Sequence, residues 1–151
     1  MPNFSILDDT KNALNEIKSS INSSLQQSFN NNQEQAKDLN RVQMFGGIKI
    51  DDSAIFPPYA DSTKRYKFNK GQPIDRVTLK DTGEFYNNLK INAKPDEVVF
   101  TSPTSYSIHI FNKYNRESKV LGLTMQNIRV FYEQFTKPIL KQNIDDIIAK
   151  S

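Results

Sequence analysis

Residues 125–149 read MQNIRVFYEQFTKPILKQNIDDIIA, and their apolar side chains recur at the spacing of an α-helix. One stripe comprises Met125, Ile128, Tyr132, Phe135 and Ile139, and a second comprises Leu140, Ile144, Ile147 and Ile148. Pro138 lies where the first stripe changes into the second, and it predicts a kink because proline removes a backbone hydrogen bond from a helix. Thr124 is the predicted N-cap. The sequence therefore predicts a long, kinked C-terminal helix with an apolar stripe on each side of the kink.

A second long helix is predicted over residues 8–29. Its apolar stripe comprises Leu14, Ile17, Ile21, Leu25 and Phe29. Asp8 and Asp9 suit the first turn, where the helix dipole favours negative charge. The asparagine run at residues 30–32 is expected to end the helix, because asparagine side chains compete for backbone groups. The stripe is narrow, so this helix needs a partner helix or a sheet.

Residues 33–47 are only weakly helical by spacing and close with Gly46 and Gly47, so residues 1–47 form a predicted N-terminal helical segment. We expect residues 48–76 to form an extended, basic interaction loop. The pair Pro57-Pro58 forbids helix and favours extended backbone. Long stretches without regular structure inside a domain are usually functional or disordered.

Residues 77–151 are expected to form a small α+β core that ends in the C-terminal helix. Asp81 or Thr82 is predicted to cap a short helix over residues 84–89. Two short apolar runs flank the turn at residues 94–97 and predict a β-hairpin. Tyr106, Ile110 and Tyr114 have helical spacing. The predicted fold is α+β within one domain: a small antiparallel sheet packed with a long N-terminal helix and a long, kinked C-terminal helix.

The composition and motifs of the sequence exclude several kinds of covalent, metal-binding and catalytic site. The 151 residues include no cysteine and one histidine, His109, which excludes disulfides, zinc–cysteine sites and multi-histidine metal sites. No serine lies in a G-x-S-x-G context, and neither a phosphate loop nor a dinucleotide fingerprint is present. We therefore expect a protein that is not an enzyme and binds no cofactor or metal. No membrane-length apolar run and no signal peptide are visible, so we expect a soluble chain.

Charge concentrates in one stretch. The net charge is +3, but residues 61–80 hold six basic and two acidic side chains, a local charge of +4. The candidate contact residues are Tyr59, Lys64, Arg65, Tyr66, Lys67, Phe68, Lys70 and Arg76. Basic residues interleaved with aromatics can bind phosphates and stack bases. They can equally dock on an acidic protein or form a solvated loop. The composition of residues 59–80 is therefore compatible with binding either a protein partner or a nucleic acid.

Residues 71–86 read GQPIDRVTLKDTGEFY and contain the most specific local motif. Asp81-Thr82-Gly83 followed by Phe85 resembles the D-T-G-x-L/F signature of the small tail-completion and minor tail, or head–tail joining, proteins of tailed bacteriophages. Residues 121–124 and the helix containing Pro138 are similar to a subgroup from phages of Bacteroides-like hosts. The resemblance covers residues 55–148, and the chain departs from it in the basic stretch 55–76 and the polar N-terminus.

The resemblance implies a structural virion protein. Such a protein forms or completes a ring at the head–tail junction or tail top, and it contacts copies of itself and adjoining portal, connector or tail proteins. It is made in the host cytoplasm and has no membrane partner; non-specific contact with DNA is compatible with this role. The turn at Asp81 then has a structural role, with Asp81 or Thr82 as a cap and Gly83 allowing close approach of two chain segments. The alternative is a small nucleic-acid-binding protein that uses residues 59–80.

Aspartic proteases also contain a D-T-G motif, and its aspartate is one of two catalytic aspartates that share a proton. A second such motif is absent from the sequence, although a homodimer would supply one. The helical sequence that follows Gly83 does not suit that β-rich fold.

Overall fold

The computed structural model describes the backbone of residues 4–150 and the side chains of residues 6–150. The helices are α1 (Phe4–Asn31), α2 (Gln33–Phe45), α3 (Asp61–Asn69), α4 (Glu84–Asn87), α5 (Ser107–Tyr114), α6 (Met125–Phe131) and α7 (Lys137–Lys150), with a π-helical turn at Tyr132–Thr136. The strands β1 (Lys90–Ala93) and β2 (Val98–Thr101) pair antiparallel, with Lys90 opposite Thr101 and Ala93 opposite Val98. The predicted α+β class, with its small sheet and two long helices, is confirmed.

The kink of the C-terminal helix lies at the predicted place. The π-helical turn Tyr132–Thr136 ends just before Pro138. Pro138 has no N–H, and its ring would clash with the carbonyl of residue 134 in a regular helix, so the wider turn accommodates it. At the start of this helix the Thr124 hydroxyl accepts a hydrogen bond from the backbone N–H of Asn127 at 3.2 Å. Thr124 is therefore the N-cap, as predicted.

Helices α1 and α7 run antiparallel and meet through small polar side chains. Ser28 and Thr136 share a buried hydroxyl–hydroxyl hydrogen bond of 2.8 Å. Asn143 donates to the hydroxyl of Ser24, also at 2.8 Å. The predicted apolar stripe of α1 is buried only in part: Phe29 is buried and Ile17 and Leu25 are half-buried, whereas Leu14 and Ile21 stay 56% and 41% exposed. Ser24 and Ser28 are fully buried at this contact, where their small side chains let the two backbones approach.

Three further expectations need correction. Helix α1 begins at Phe4, so Asp8 and Asp9 do not lie in its first turn. Residues 33–45 form a regular helix, although their spacing is weak, because tertiary contacts bury Ala36 and Met44 completely. Residues 48–76 are not extended throughout: α3 occupies Asp61–Asn69. The predicted C-terminal end of α1 and the predicted ends of the hairpin strands are close to those observed. The division of the chain into three segments stays a prediction.

Apolar side chains form two clusters, and Phe100 of β2 packs against both. The larger contains Met44, Ile55, Val77, Phe85, Leu89 and Val120 among others. The smaller joins α1, α2, β1 and α6 through Phe29, Ala36, Ile91, Ala93, Leu123 and Phe131. Within it the rings of Phe29 and Phe131 stack with centroids 4.2 Å apart. Residues from the first 47 positions therefore contribute to both clusters.

Two buried amides on α2 connect these clusters. Asn40, fully buried, donates to the carbonyl of Val120 and accepts from the N–H of Gly122, both at 3.2 Å. Gln43 donates to the carbonyl of Gly122 at 3.2 Å and accepts from the N–H of Thr124 at 2.9 Å. An irregular segment inside a protein needs partners for its backbone groups, and these two side chains supply them. They hold residues 120–124 against α2 and set where α6 begins.

Replacing Asn40 tests this connection. Asn40→Leu keeps the volume but leaves the Val120 carbonyl and the Gly122 N–H buried without partners, so we expect it to lower the free energy of unfolding by about 2–4 kcal/mol. Gln35→Leu, at an exposed position of the same helix, is the control and should change it by less than about 0.5 kcal/mol. Urea unfolding followed by circular dichroism measures both. Equal values for the two variants would contradict the assigned role of Asn40.

Candidate functional site

The basic segment 59–80 folds as a helix followed by a loop that returns to it. Helix α3 has Asp61 in its first turn and Lys67 in its last, which suits the helix dipole. Its sequence DSTKRYKFN has no apolar stripe. Periodicity therefore carried no signal for this helix, which explains why an extended loop was predicted.

Lys67 is buried, at 4% exposure. Its ammonium donates to the carbonyl of Lys80 at 2.6 Å and to the side-chain oxygen of Gln72 at 3.1 Å. It also lies 4.9 Å from the centroid of the Tyr59 ring, within cation–π range. Among the described residues no carboxylate lies within ion-pair distance of it. Lys67 therefore connects α3 to the returning loop and is not exposed for contact with a partner.

Tyr59 has a similar internal role. Its hydroxyl oxygen accepts the backbone N–H groups of Thr78 and Leu79, each at 3.0 Å. Leu79 has a positive φ of 58°, which an ordinary side chain rarely adopts. The two hydrogen bonds hold the backbone in that conformation, so this tyrosine positions the stretch that leads to Asp81.

Asp81 pairs with α3 and does not cap α4. Its carboxylate accepts the ammonium of Lys70 at 2.6 Å and the hydroxyl of Tyr66 at 3.2 Å. The Lys70 ammonium holds the pKa of Asp81 below its usual value, and Asp81 in turn raises the pKa of Lys70. Gln72 donates to the backbone carbonyl of Asp81 at 2.7 Å. This cluster fixes the D-T-G turn against the end of α3.

The other two residues of the turn begin α4. The Thr82 hydroxyl accepts from the N–H of Glu84 at 3.3 Å, so the threonine is the better of the two predicted caps. Gly83 occupies the N-cap position with a φ of +93°, in the left-handed region that favours glycine. A Cβ there would meet only the side-chain nitrogen of Asn87, at 3.7 Å. Backbone conformation explains this glycine, and the predicted close approach of two chain segments is wrong.

Arg76 is also tied into the fold. Its Nε donates to the carbonyl of Phe45 at 2.7 Å, and its guanidinium pairs with Asp75 at 2.8 Å. The guanidinium lies 5.3 Å from the centroid of the Phe45 ring. The arginine therefore joins the end of α2 to the loop that follows α3.

Fewer charges remain exposed than the sequence suggests. Lys64 and Arg65 have no ion pair among the described residues, and Phe68 and Tyr66 are 70% and 51% exposed. A shallow depression of about 260 Å³ runs along this side of α3, with Ile74 and Asn69 in its wall. Of the eight predicted contact residues, Arg65, Tyr66 and Phe68 are exposed on α3, and Lys64 beside them is half-buried; we call these four the exposed group on α3. Lys70 is also exposed, but it is paired with Asp81.

An aromatic cavity of about 350 Å³ lies between α3, the D-T-G turn and α5. Its walls include Tyr59, Tyr106, Tyr114, Leu79 and Ile110. Burial raises the pKa of Tyr114 to about 12, so this tyrosine stays neutral at physiological pH. His109 is exposed on α5 and does not line the cavity. The sequence predicted the helix that carries Tyr106 and Tyr114, but not the cavity between it and α3.

The described residues contain neither a metal-binding cluster nor a helix that could span a membrane. Residues 4–150 contain no group of three histidine, aspartate or glutamate side chains placed to hold a metal ion. Across the same residues, none of the helices combines the length and the apolar character that crossing a membrane requires.

Comparison with known proteins gave no match to a protein-family model, to a curated protein or to a solved structure.

The two lysines of α3 provide a matched pair of variants. Lys67→Ala removes hydrogen bonds of a buried ammonium and exposes the Lys80 carbonyl, so we expect it to lower the free energy of unfolding by about 1–3 kcal/mol. Lys64→Ala removes a side chain without an ion pair and should change it by less than about 0.5 kcal/mol. Urea unfolding of both variants measures the difference. If Lys64→Ala were the more destabilising, Lys67 would not be the residue that connects α3 to the loop.

Proposed function

We propose that this chain is a structural virion protein of a tailed phage, which forms or completes a ring at the head–tail junction or tail top and bridges neighbouring virion proteins. The observation that carries the proposal is an uncovered apolar stripe on α1. The resemblance of residues 71–86 to head–tail joining proteins supplies the virion context. In this proposal the stripe is covered by copies of the chain.

The stripe consists of Leu7, Leu14 and Ile21, which are 67%, 56% and 41% exposed. They recur every seven residues, so they lie along one side of the helix, as in helices that pair with other helices. From residue 6 to residue 16, every side chain except that of Ala13 is exposed. The segment of α1 that holds two of the three stripe residues is therefore uncovered.

The dimensions of α1 explain why the fold leaves this stripe open. A helix of 28 residues is about 42 Å long. Its hydrogen bonds to the C-terminal helix are at Ser24 and Ser28, in its last third. Burying a leucine contributes about 1.5–3 kcal/mol, so covering the stripe in an assembly would be favourable. Exposed apolar surface of this kind commonly marks an interaction site.

A second candidate function is binding of single-stranded nucleic acid. The observation that favours it is the exposed group on α3, where Phe68 and Tyr66 could stack bases beside Lys64 and Arg65. Internal use of Lys67, Lys70 and Arg76 leaves only two or three cations for phosphates. Any such binding would accordingly be weak.

Self-assembly is tested by placing a charge on the stripe. We expect the wild-type chain to form oligomers as its concentration rises, and Leu14→Asp to remain monomeric at roughly tenfold higher concentration, because a carboxylate would be buried between helices. Ser19→Asp, an exposed position elsewhere on α1, is the control and should assemble like the wild type. Sedimentation velocity measures the oligomers, and circular dichroism verifies that each variant is folded. A wild-type chain that stays monomeric throughout the concentration series would contradict self-assembly.

The second candidate is tested by salt dependence. With two or three phosphate contacts, affinity for an oligothymidine should fall roughly 7- to 18-fold between 50 and 200 mM salt. The double variant Lys64→Gln with Arg65→Gln should abolish most of that dependence, whereas Lys90→Gln on β1 should not. Fluorescence anisotropy measures binding. Absence of binding at 50 mM salt would exclude this function.

A further inference from the structure

A second groove lies on the other side of the D-T-G turn, between that turn and the C-terminal half of α2. Its volume is about 530 Å³. The side chains that shape it include Arg41, Val42, Phe45, Lys80, Thr82 and Tyr86. Neither the apolar stripe of α1 nor the exposed group on α3 contributes to it.

The floor of this groove offers apolar surface. Val42 is 73% exposed and Phe45 is 39% exposed, one turn apart on α2. Hydrogen bonds hold the backbone of Phe45 and the side chain of Tyr86. Arg76 donates to the backbone carbonyl of Phe45 at 2.7 Å, and the Tyr86 hydroxyl donates to the buried carbonyl of Thr78. A ligand would therefore meet a surface that needs little ordering.

Two cations line the groove, and one of them is unpaired among the described residues. Arg41 and Lys80 line it, whereas none of its lining residues is acidic. Arg41 is already paired with Asp38 at 2.7 Å and with Glu34 at 3.3 Å. The Lys80 ammonium lies 5.7 Å from the ring centroids of both Phe45 and Tyr86, and across the described side chains no carboxylate pairs with it. Lys80 is thus a cation, held beside two rings, that lacks an anionic partner.

We propose that this groove docks an acidic segment of an adjoining protein, with one apolar side chain on Val42 and Phe45 and one carboxylate on Lys80. The identity of the partner as an adjoining virion protein rests on the proposed function. The positive charge and exposed apolar floor complement such a segment, since charge selects and orients a partner while apolar burial supplies affinity.

A nucleic acid fits this groove less well. A phosphate backbone is held by several cations at once, and here only Lys80 is uncommitted. The aliphatic side chain of Val42, which is the most exposed part of the floor, would gain nothing from a phosphate. The groove therefore favours a peptide that combines a carboxylate with an apolar side chain.

The experiment uses the 151-residue chain, labelled with ¹⁵N, two blocked peptides and one oligonucleotide. Acetyl-Gly-Asp-Leu-Asp-Gly-amide is the acidic probe, the same peptide with asparagine at both aspartate positions is the neutral control, and an oligothymidine is the nucleic-acid probe. We expect the acidic peptide to shift the amide signals of residues 41–46 and 80–87. The asparagine peptide should bind about fivefold more weakly, because it lacks the charge that pairs with Lys80.

Two variants and one control locate the binding. Lys80→Gln should weaken the acidic peptide about three- to fivefold, and Val42→Asp should weaken it about tenfold, because it replaces apolar surface with a like charge. Lys90→Gln, an exposed lysine of β1, should leave the affinity unchanged. Because Val42 is largely exposed, its variant is expected to fold, and the amide spectrum of each variant confirms this.

Three results would overturn the proposal: equal affinity for the acidic and neutral peptides, signal shifts confined to other parts of the chain, or tighter binding of the oligothymidine to the same residues. The outcome is separable from that of the assembly experiment. If the chain binds the peptide but never oligomerises, self-assembly is rejected and docking in the groove is supported. If the chain assembles but does not bind the peptide, docking in the groove is rejected and self-assembly is supported.

Discussion

The fold depends on hydrogen bonds between two buried amides of α2 and the backbone of residues 120–124. Asn40 and Gln43 satisfy donors and acceptors that would otherwise be buried without partners. Because Gln43 also accepts the N–H of Thr124, the same contact sets where α6 begins. The π-helical turn at Pro138 then redirects the chain, and α7 returns along α1. The placement of both long helices therefore follows from a polar contact that joins two apolar clusters, in a chain with little apolar surface to bury.

Some basic side chains of this protein make contacts within the fold, and others remain available on its surface. Lys67, Lys70 and Arg76 hold α3, the D-T-G turn and the end of α2 together. This internal use lowers the number of cations that a polyanion could contact. Several apolar side chains outside the two clusters, among them Leu7, Leu14 and Val42, remain exposed. Exposed apolar side chains and internally paired cations together favour protein partners over nucleic acid. Both the proposed assembly through α1 and the proposed docking of an acidic segment on α2 depend on this balance.

Much of the secondary structure could be predicted because its signals are local. The hairpin turn at residues 94–97, the Thr124 cap and the kink at Pro138 each depend on residues within about four positions of one another. Helix α3 was missed because a polar helix without a stripe has no period to detect. The exposed group on α3 was partly predicted, but Lys67 was grouped with it wrongly, because its acceptors at Gln72 and Lys80 are recognisable only in three dimensions.

The sequence by itself determined the fold class, both long helices, the hairpin and the absence of cysteine chemistry, because spacing and composition act over short distances. Only the tertiary structure decided which side chains are buried. Asn40 finds its partner 80 residues away, and Ser28 finds Thr136 at a separation of 108. Whether a lysine is exposed or a leucine is covered depends on such distant pairings. The apolar stripe on α1 and the cationic groove on α2 therefore became visible only once the chain was folded.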